Sequence, residues 1–358
     1  MNCSFRKTFF HAAGNNISQL VLVNIVCSGS EKVLFTIDMY DKLIIKNCAF
    51  KNIKAASENP LISALKTNVY LYNNYFNNIV GLVMIIKVTV YVQIKHVVFA
   101  NTYRPGEYET AFGPISIFSV NEISIFKTKF TKHFGRNGGA LLLIDNGLVR
   151  IFYSSFINNM GQIRGGALYA LNVESIKIIK TSFQFNSARL SGGAAFFRKV
   201  NLIKMAYSLV FLNKAGVKGG GINYNRCKHI TIKYSTFTNN SAKNSGGGIY
   251  LSYARIVFCI RTTFEHNTAV RYGGALSHEY GVGEFQCISC GMFKNVAGNS
   301  GGGIYSYKSS ALQNINLTFM ENRAAIGGGI SSEYLGFVSS RNCNFVDNKA
   351  HISGGAIY

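Results

Sequence analysis

The chain has 358 residues, enough to bury a large core, and its 37 Lys and Arg against 15 Asp and Glu leave a formal charge of +22. A composition of 48% hydrophobic and 15% charged residues, rich in aromatics, excludes an intrinsically disordered chain. No stretch reaches the roughly 18 uninterrupted apolar residues of a membrane helix.

The positive excess favours an acidic partner, whether nucleic acid, anionic glycan or an anionic membrane surface, although lysine-rich composition alone gives the same total. The opening segment "MNCSFRKTFFHAAGNN" has basic residues but no apolar run of the length a secretory signal needs. "IVGLVMIIKVTVYVQIKHVVF" (79–99) is interrupted by lysines and rich in β-branched residues, so it reads as strands. "NCAFKN" (47–52), "YFNN" (75–78) and "VVFAN" (97–101) are expected to be corners of a worn repeat, and "NTYRPGEYETAFGP" (101–114) a loop inserted between coils. Residues 1–137 are thus expected to form four or five degenerate coils, continuous with a regular part at 138–358.

In that regular part a glycine pair begins at Gly138, Gly165, Gly192, Gly219, Gly246, Gly273, Gly301, Gly327 and Gly354, in steps of 26 to 28 residues. Nine residues before most pairs stands an apolar residue, usually phenylalanine: Phe156, Phe183, Phe237, Phe264, Phe319 and Phe345, with Val210 and Met292 as replacements. Six before stands asparagine: Asn159, Asn186, Asn213, Asn240, Asn267, Asn295, Asn322 and Asn348. Between them the chain alternates with period two, as in "VESIKIIKTSF" and "HITIKYSTF", which argues for strands rather than helices. Twenty-seven residues hold about three short strands with their bends, so successive repeats are expected to stack as coils of a right-handed parallel β-helix, an all-β fold. About thirteen such coils give an axis of roughly 60 Å at the usual interstrand spacing. Phe then stacks inside, Asn forms a coil-to-coil amide ladder, and the glycines turn the chain tightly. The sequence ends on "SGGAIY", just as a coil begins, and residues beyond Tyr358 are expected.

The pairing of GGA and an aliphatic residue with FxxN resembles the repeats of the chlamydial polymorphic membrane proteins, and similar repeats of protist surface proteins. The Lys, Asn, Ile and Tyr bias suits an AT-rich genome such as a protist's. The resemblance covers residues 126–358 well and the earlier part loosely. It implies a β-helix fold and a cell-surface or extracellular, non-enzymatic adhesion role. The implied partners are host or matrix macromolecules or anionic glycan, and membrane attachment would come only through segments outside this chain.

Counting each coil from its first glycine as position 0, Arg150, Lys177 and Lys204 share position 12 and are expected to form an outward basic file that could track a sulfated glycan. Solvated lysines are the plainer reading. Specific nucleic-acid binding fits less well, because no known motif and no aromatic platform accompanies the file. Two carboxylate pairs set the terms of a carbohydrate-active enzyme: Glu321 with Asp347 about 5 Å apart at position 20, and Glu279 with Glu333 near 10 Å at position 6. The first is expected to be a solvated stack with Lys294, and His278 is expected to point away from Glu279. No cofactor is expected. Eight cysteines are too sparse for a disulfide scaffold. "CISC" (287–290) lacks a second pair at zinc spacing, and Cys259 and Cys287 are expected at one inward position, bridged or reduced. Asn2, Asn16, Asn239 and Asn316 open glycosylation sequons, with Asn239 expected to face outward.

Overall fold

Alternation decides the faces of each strand. In Ser175–Ile179 the side chains of Ile176 and Ile178 are fully buried while Lys177 lies between them on the outside. The computed structural model describes residues 2–3, 9–13, 19–29, 34–55, 60–103, 113–281, 283–334 and 337–358. The middle of the 101–114 loop and the Asn16 sequon lie outside them. The described residues form strands and bends without a helix, wound into a parallel β-solenoid of about 12 turns.

One coil illustrates those of the regular part, residues 138–358. After Gly192 and Gly193 come a first strand, Ala195–Arg198, a second, Leu202–Ala206, a third, Leu209–Phe211, and the short pair Lys214–Ala215. Each pairs in parallel with its equivalent one coil on: Ala195 with Ile222, Leu202 with His229, Leu209 with Thr236 and Lys214 with Ser241. Four left-handed bends separate these segments, at Gly192 (φ 71°), Lys199 (53°), Tyr207 (51°) and Leu212 (53°). The same four positions, 0, 7, 15 and 20, are left-handed coil after coil, and three of them carry ordinary L-residues. Such residues pay a steric cost there that only the surrounding ladder bonds offset.

The two glycines of the repeat are needed for different reasons. Gly192 has positive φ, and a Cβ there would sit 2.3 Å from the carbonyl oxygen of Ala195. Gly193 has ordinary φ, but its Cβ would meet the carbonyl oxygen of Gly220 in the next coil at 2.0 Å. One glycine serves the bend and the other the contact between coils.

Inside, Phe156 and Phe183 stack at 4.8 Å, Phe237 and Phe264 at 5.1 Å, and Phe319 and Phe345 at 4.7 Å. Val210 and Met292 fill the intervening rungs in register and are fully buried. The stack runs on into the degenerate part through Phe50, Phe76, Phe99 and Phe130, with centroids 4.5 to 5.3 Å apart. Asn159 to Asn348 form the amide ladder. At a typical rung the Asn186 Nδ2 donates to the carbonyl of Phe156 at 3.0 Å and to Oδ1 of Asn213 at 2.9 Å, while its Oδ1 accepts from both N and Nδ2 of Asn159. Both donors and both lone pairs of the buried amide are used.

The early asparagine corners differ from this ladder. Asn52, Asn78 and Asn101 occupy the left-handed bend instead, and Asn78 Nδ2 reaches Asn52 Oδ1 across exposed surface at 2.8 Å. The ladder position there belongs to Ile53, Ile79, Thr102 and His133, in register. His133 closes the ladder: its N–H donates to Asn159 Oδ1 at 3.1 Å, and its ring nitrogens meet Thr102 Oγ1 at 2.8 Å and the Phe99 carbonyl at 3.0 Å.

Candidate functional site

The outward file at position 12 forms as the spacing requires. Arg150, Lys177, Lys204 and Thr231 are consecutive register partners on the second strands, between the buried residues at positions 11 and 13. Lys204 is exposed and Lys177 half-buried. Arg150 is not free: its guanidinium is ion-paired with Glu122 of the preceding coil, and both side chains remain partly exposed. A pair so solvated contributes at most about 1 kcal/mol, but it removes one positive charge from the end of the file.

Aromatic residues accompany this file, contrary to the sequence-based expectation. The left-handed bend at position 15, three residues beyond the file, carries Lys127, Tyr153, Lys180, Tyr207, Tyr234 and Arg261 in successive coils. Tyr153, Tyr207 and Tyr234 are 48%, 56% and 41% exposed. Tyr207 and Tyr234 are stacked at 4.9 Å with planes 3° apart. The Lys180 ammonium lies 5.3 Å from the Tyr153 ring centre, and the Arg261 guanidinium 5.7 Å from that of Tyr234. These are cation–π distances. The sequence held the signal, a basic or aromatic residue before each Ser or Thr at position 16, but position 15 reads as a loop until its backbone is known to repeat. The tyrosines sit at a bend, so the register of the second strands places them in one row beside the lysines.

The carboxylate pairs fare differently. Glu321 and Asp347 both lie at left-handed bends, and Lys294 approaches Glu321 to 3.9 Å on exposed surface. That is the solvated stack. Glu279 and Glu333 lie in one row with Tyr307 between them, and both line one cleft. Glu279 is buried, and its charge is held from three sides. Lys218 Nζ donates to Oε2 at 3.0 Å, the Tyr250 hydroxyl donates to Oε2 at 3.0 Å, and Ser277 Oγ donates to Oε1 at 2.8 Å. The Tyr250 hydroxyl is pushed well above its ordinary pKa by burial and by the charge of Glu279. His278 points inward, fully buried, and burial lowers it to about 3.

Cys259 and Cys287 are register partners and both are free thiols. Cys290 stands one rung beyond Thr262 in a row of hydroxyl side chains at position 16, where its Sγ contacts the Ile288 carbonyl at 3.5 Å as Thr262 Oγ1 contacts that of Ile260 at 3.1 Å. The spacing of "CISC" follows from these two inward-facing rows. Asn239 is exposed at a left-handed bend, as its place before Asn240 requires, and Asn316 is exposed likewise.

Two stretches, residues 234–252 and 342–358, match the family model of the Chlamydia polymorphic membrane protein repeat. Each contains one glycine pair; the solenoid is consistent with a repeat protein of that type. No curated protein matches the chain.

Proposed function

We propose that the chain is a non-enzymatic, surface-displayed binding protein whose second-strand face holds an anionic polymer, with sulfated glycan as the favoured class. The observation that carries this reading is the in-register row Arg150–Lys177–Lys204 beside the cation–aromatic row Tyr153–Lys180–Tyr207–Tyr234–Arg261. Successive coils stand about 4.8 Å apart, so the two rows offer charges at a spacing that an extended polyanion can follow over several residues. The repeat-family match and the charge of +22 support a surface role and an acidic ligand. Adhesion to host or matrix macromolecules is the role this reading implies.

The test is binding to an array of sulfated and unsulfated glycans at low and high salt, wild type beside the Arg150→Glu/Lys177→Glu/Lys204→Glu variant. Salt-sensitive binding that the variant loses supports the reading. Binding that the variant retains, or no binding by the wild type, overturns it.

A carbohydrate-active enzyme is a second reading, because Glu279 and Glu333 line one cleft. Weighing against it, the Lys218, Tyr250 and Ser277 contacts occupy both oxygens of Glu279, leaving it poorly placed to move a proton. Release of reducing ends from a polysaccharide, abolished by Glu333→Gln, would restore that reading.

A further inference from the structure

The outward residues of the first strands form a row of their own. Leu142, Tyr169, Phe196, Asn223, Tyr250, Ser277, Tyr305 and Ser331 are consecutive register partners at position 4. An outward row on a cylinder should be exposed, yet Tyr169 is 7%, Phe196 6% and Tyr305 5% exposed. The row therefore lies along the floor of a trough. Its first part is apolar: Leu142, Tyr169 and Phe196 make a cluster separate from the main core. From Asn223 onward it is polar.

In the polar part the trough deepens into a cleft of about 380 Å³ lined by Asn244, Arg271, Tyr272, Tyr305, Tyr307 and Glu333 above the Lys218–Glu279 pair. That volume is the size of a small-ligand site. Tyr272 stacks on Tyr305 at 4.6 Å, and Tyr305 lies nearly parallel to Tyr307 at 6.4 Å with planes 7° apart. Unlike Glu279, the carboxylate of Glu333 has no hydrogen-bond or ion-pair partner among the described residues, and the same holds for the Arg271 guanidinium. In the position-4 row on either side, Asn223 Oδ1 and Ser331 Oγ are buried without a partner. Both residues are more than nine-tenths buried, and neither lines the cleft.

We propose that this cleft is a binding site for a neutral pyranose oligosaccharide. Three features select that class. Flat tyrosine faces carry negative charge that attracts the C–H face of a sugar ring. The free guanidinium of Arg271 and the free carboxylate of Glu333 supply a donor fork and an acceptor pair for ring hydroxyls. The charges of Lys218 and Arg271 cancel those of Glu279 and Glu333, so neither a polyanion nor a cation gains by entering. The site is separate from the basic file and does not depend on the reading proposed above.

The experiment is calorimetric titration of the whole protein with neutral tetrasaccharides of β-1,4-glucose, α-1,4-glucose and β-1,4-N-acetylglucosamine, and with choline as a cationic probe. Binding of at least one tetrasaccharide is expected, unchanged by salt and by Lys177→Glu/Lys204→Glu. Tyr272→Ala and Glu333→Gln should each weaken it about 10-fold, the loss expected for one hydrogen bond to a charged group or one stacking face. Tyr272→Phe keeps the ring and should keep most of the affinity, which separates stacking from any effect on folding. No tetrasaccharide bound, affinity unaltered in both variants, or choline bound in place of sugar would each overturn the proposal.

Discussion

Asn186 and Asn213 are joined twice: the backbone N–H of Asn186 and its Nδ2 both donate to Oδ1 of Asn213, each at 2.9 Å, while Asn213 Nδ2 donates to the Phe183 carbonyl at 3.0 Å. The repeat's most regular polar residue therefore joins neighbouring coils through its side chain, and removing it strands groups in the coil before it.

Asn213→Ala should leave the N–H and one Nδ2 hydrogen of Asn186, and the Phe183 carbonyl, with fewer partners inside a dry interior. At about 1–3 kcal/mol for each buried group left unsatisfied, a loss of at least about 3 kcal/mol is expected in urea unfolding. Asn348→Ala, at the half-buried last rung, should cost clearly less. Equal losses at the two positions would show that the ladder is not what makes Asn213 matter.

Lys199 is exposed at a left-handed bend with φ 53° and has no side-chain role in the ladder. Asparagine tolerates that region better than lysine. Lys199→Asn should therefore stabilise the solenoid by about 0.5–1 kcal/mol, read as a raised urea midpoint with unchanged slope.

His133 is fully buried, and burial lowers its pKa from the ordinary 6.5 to about 4, against a smaller opposing effect of its bond to the Phe99 carbonyl. A carbonyl only accepts, so Nε2 carries the proton and Nδ1 accepts from Thr102. The folded state thus holds His133 neutral, while the unfolded chain takes up a proton below pH 6.5. Stability contributed by this group is complete above pH 6.5 and is lost progressively as pH falls to about 4, by roughly 3 kcal/mol. His278, lowered to about 3, acts in the same direction over a wider window. His133→Asn, which would extend the ladder toward Phe99, should flatten the slope between pH 6 and 4. An unchanged slope would contradict the assignment.

Cys27, Cys48, Cys227, Cys259, Cys287 and Cys290 are buried, whereas Cys343 is partly exposed. Burial also pushes Cys227 up to about 12, and Cys287 is raised by its hydrogen bonds with Cys259 and Cys290 and, after these, by burial. Among these seven, a thiol reagent at neutral pH should label Cys343 first, and the others only on unfolding. Mass-spectrometric mapping of a short labelling pulse checks the order.

Much of this architecture is legible in the sequence because its determinants recur at one period. Gly192 and Gly193, Phe183 and Asn186 each repeat so closely that one coil predicts the next, and even the inward direction of His278 follows from its place on a strand. What stays hidden lacks a residue signature. Lys199, Tyr207 and Leu212 take the same left-handed bend without sharing any chemistry, so composition cannot mark them. The partners Lys218 and Glu279 are 61 residues apart, two coils and a strand, and their contact appears only once the register is fixed. Arg150 is ion-paired with Glu122 from a coil that has no glycine pair to number it by. The tyrosine of "GGGIY" at Tyr250 and Tyr305 reads as a strand residue, but the trough that buries it depends on the neighbouring rows.

The measurement that tests the proposed polyanion face most directly is the salt dependence of sulfated-glycan affinity for wild type, Lys177→Glu, Lys204→Glu and Tyr207→Ala. If the polymer lies along the second-strand face, the log–log salt slope should fall by about 1 for each lysine removed, by analogy with phosphate contacts on nucleic acid. Tyr207→Ala should then weaken binding while leaving the slope unchanged. A slope identical in all four proteins, with affinity preserved, would contradict the account and leave the +22 charge as a property of composition.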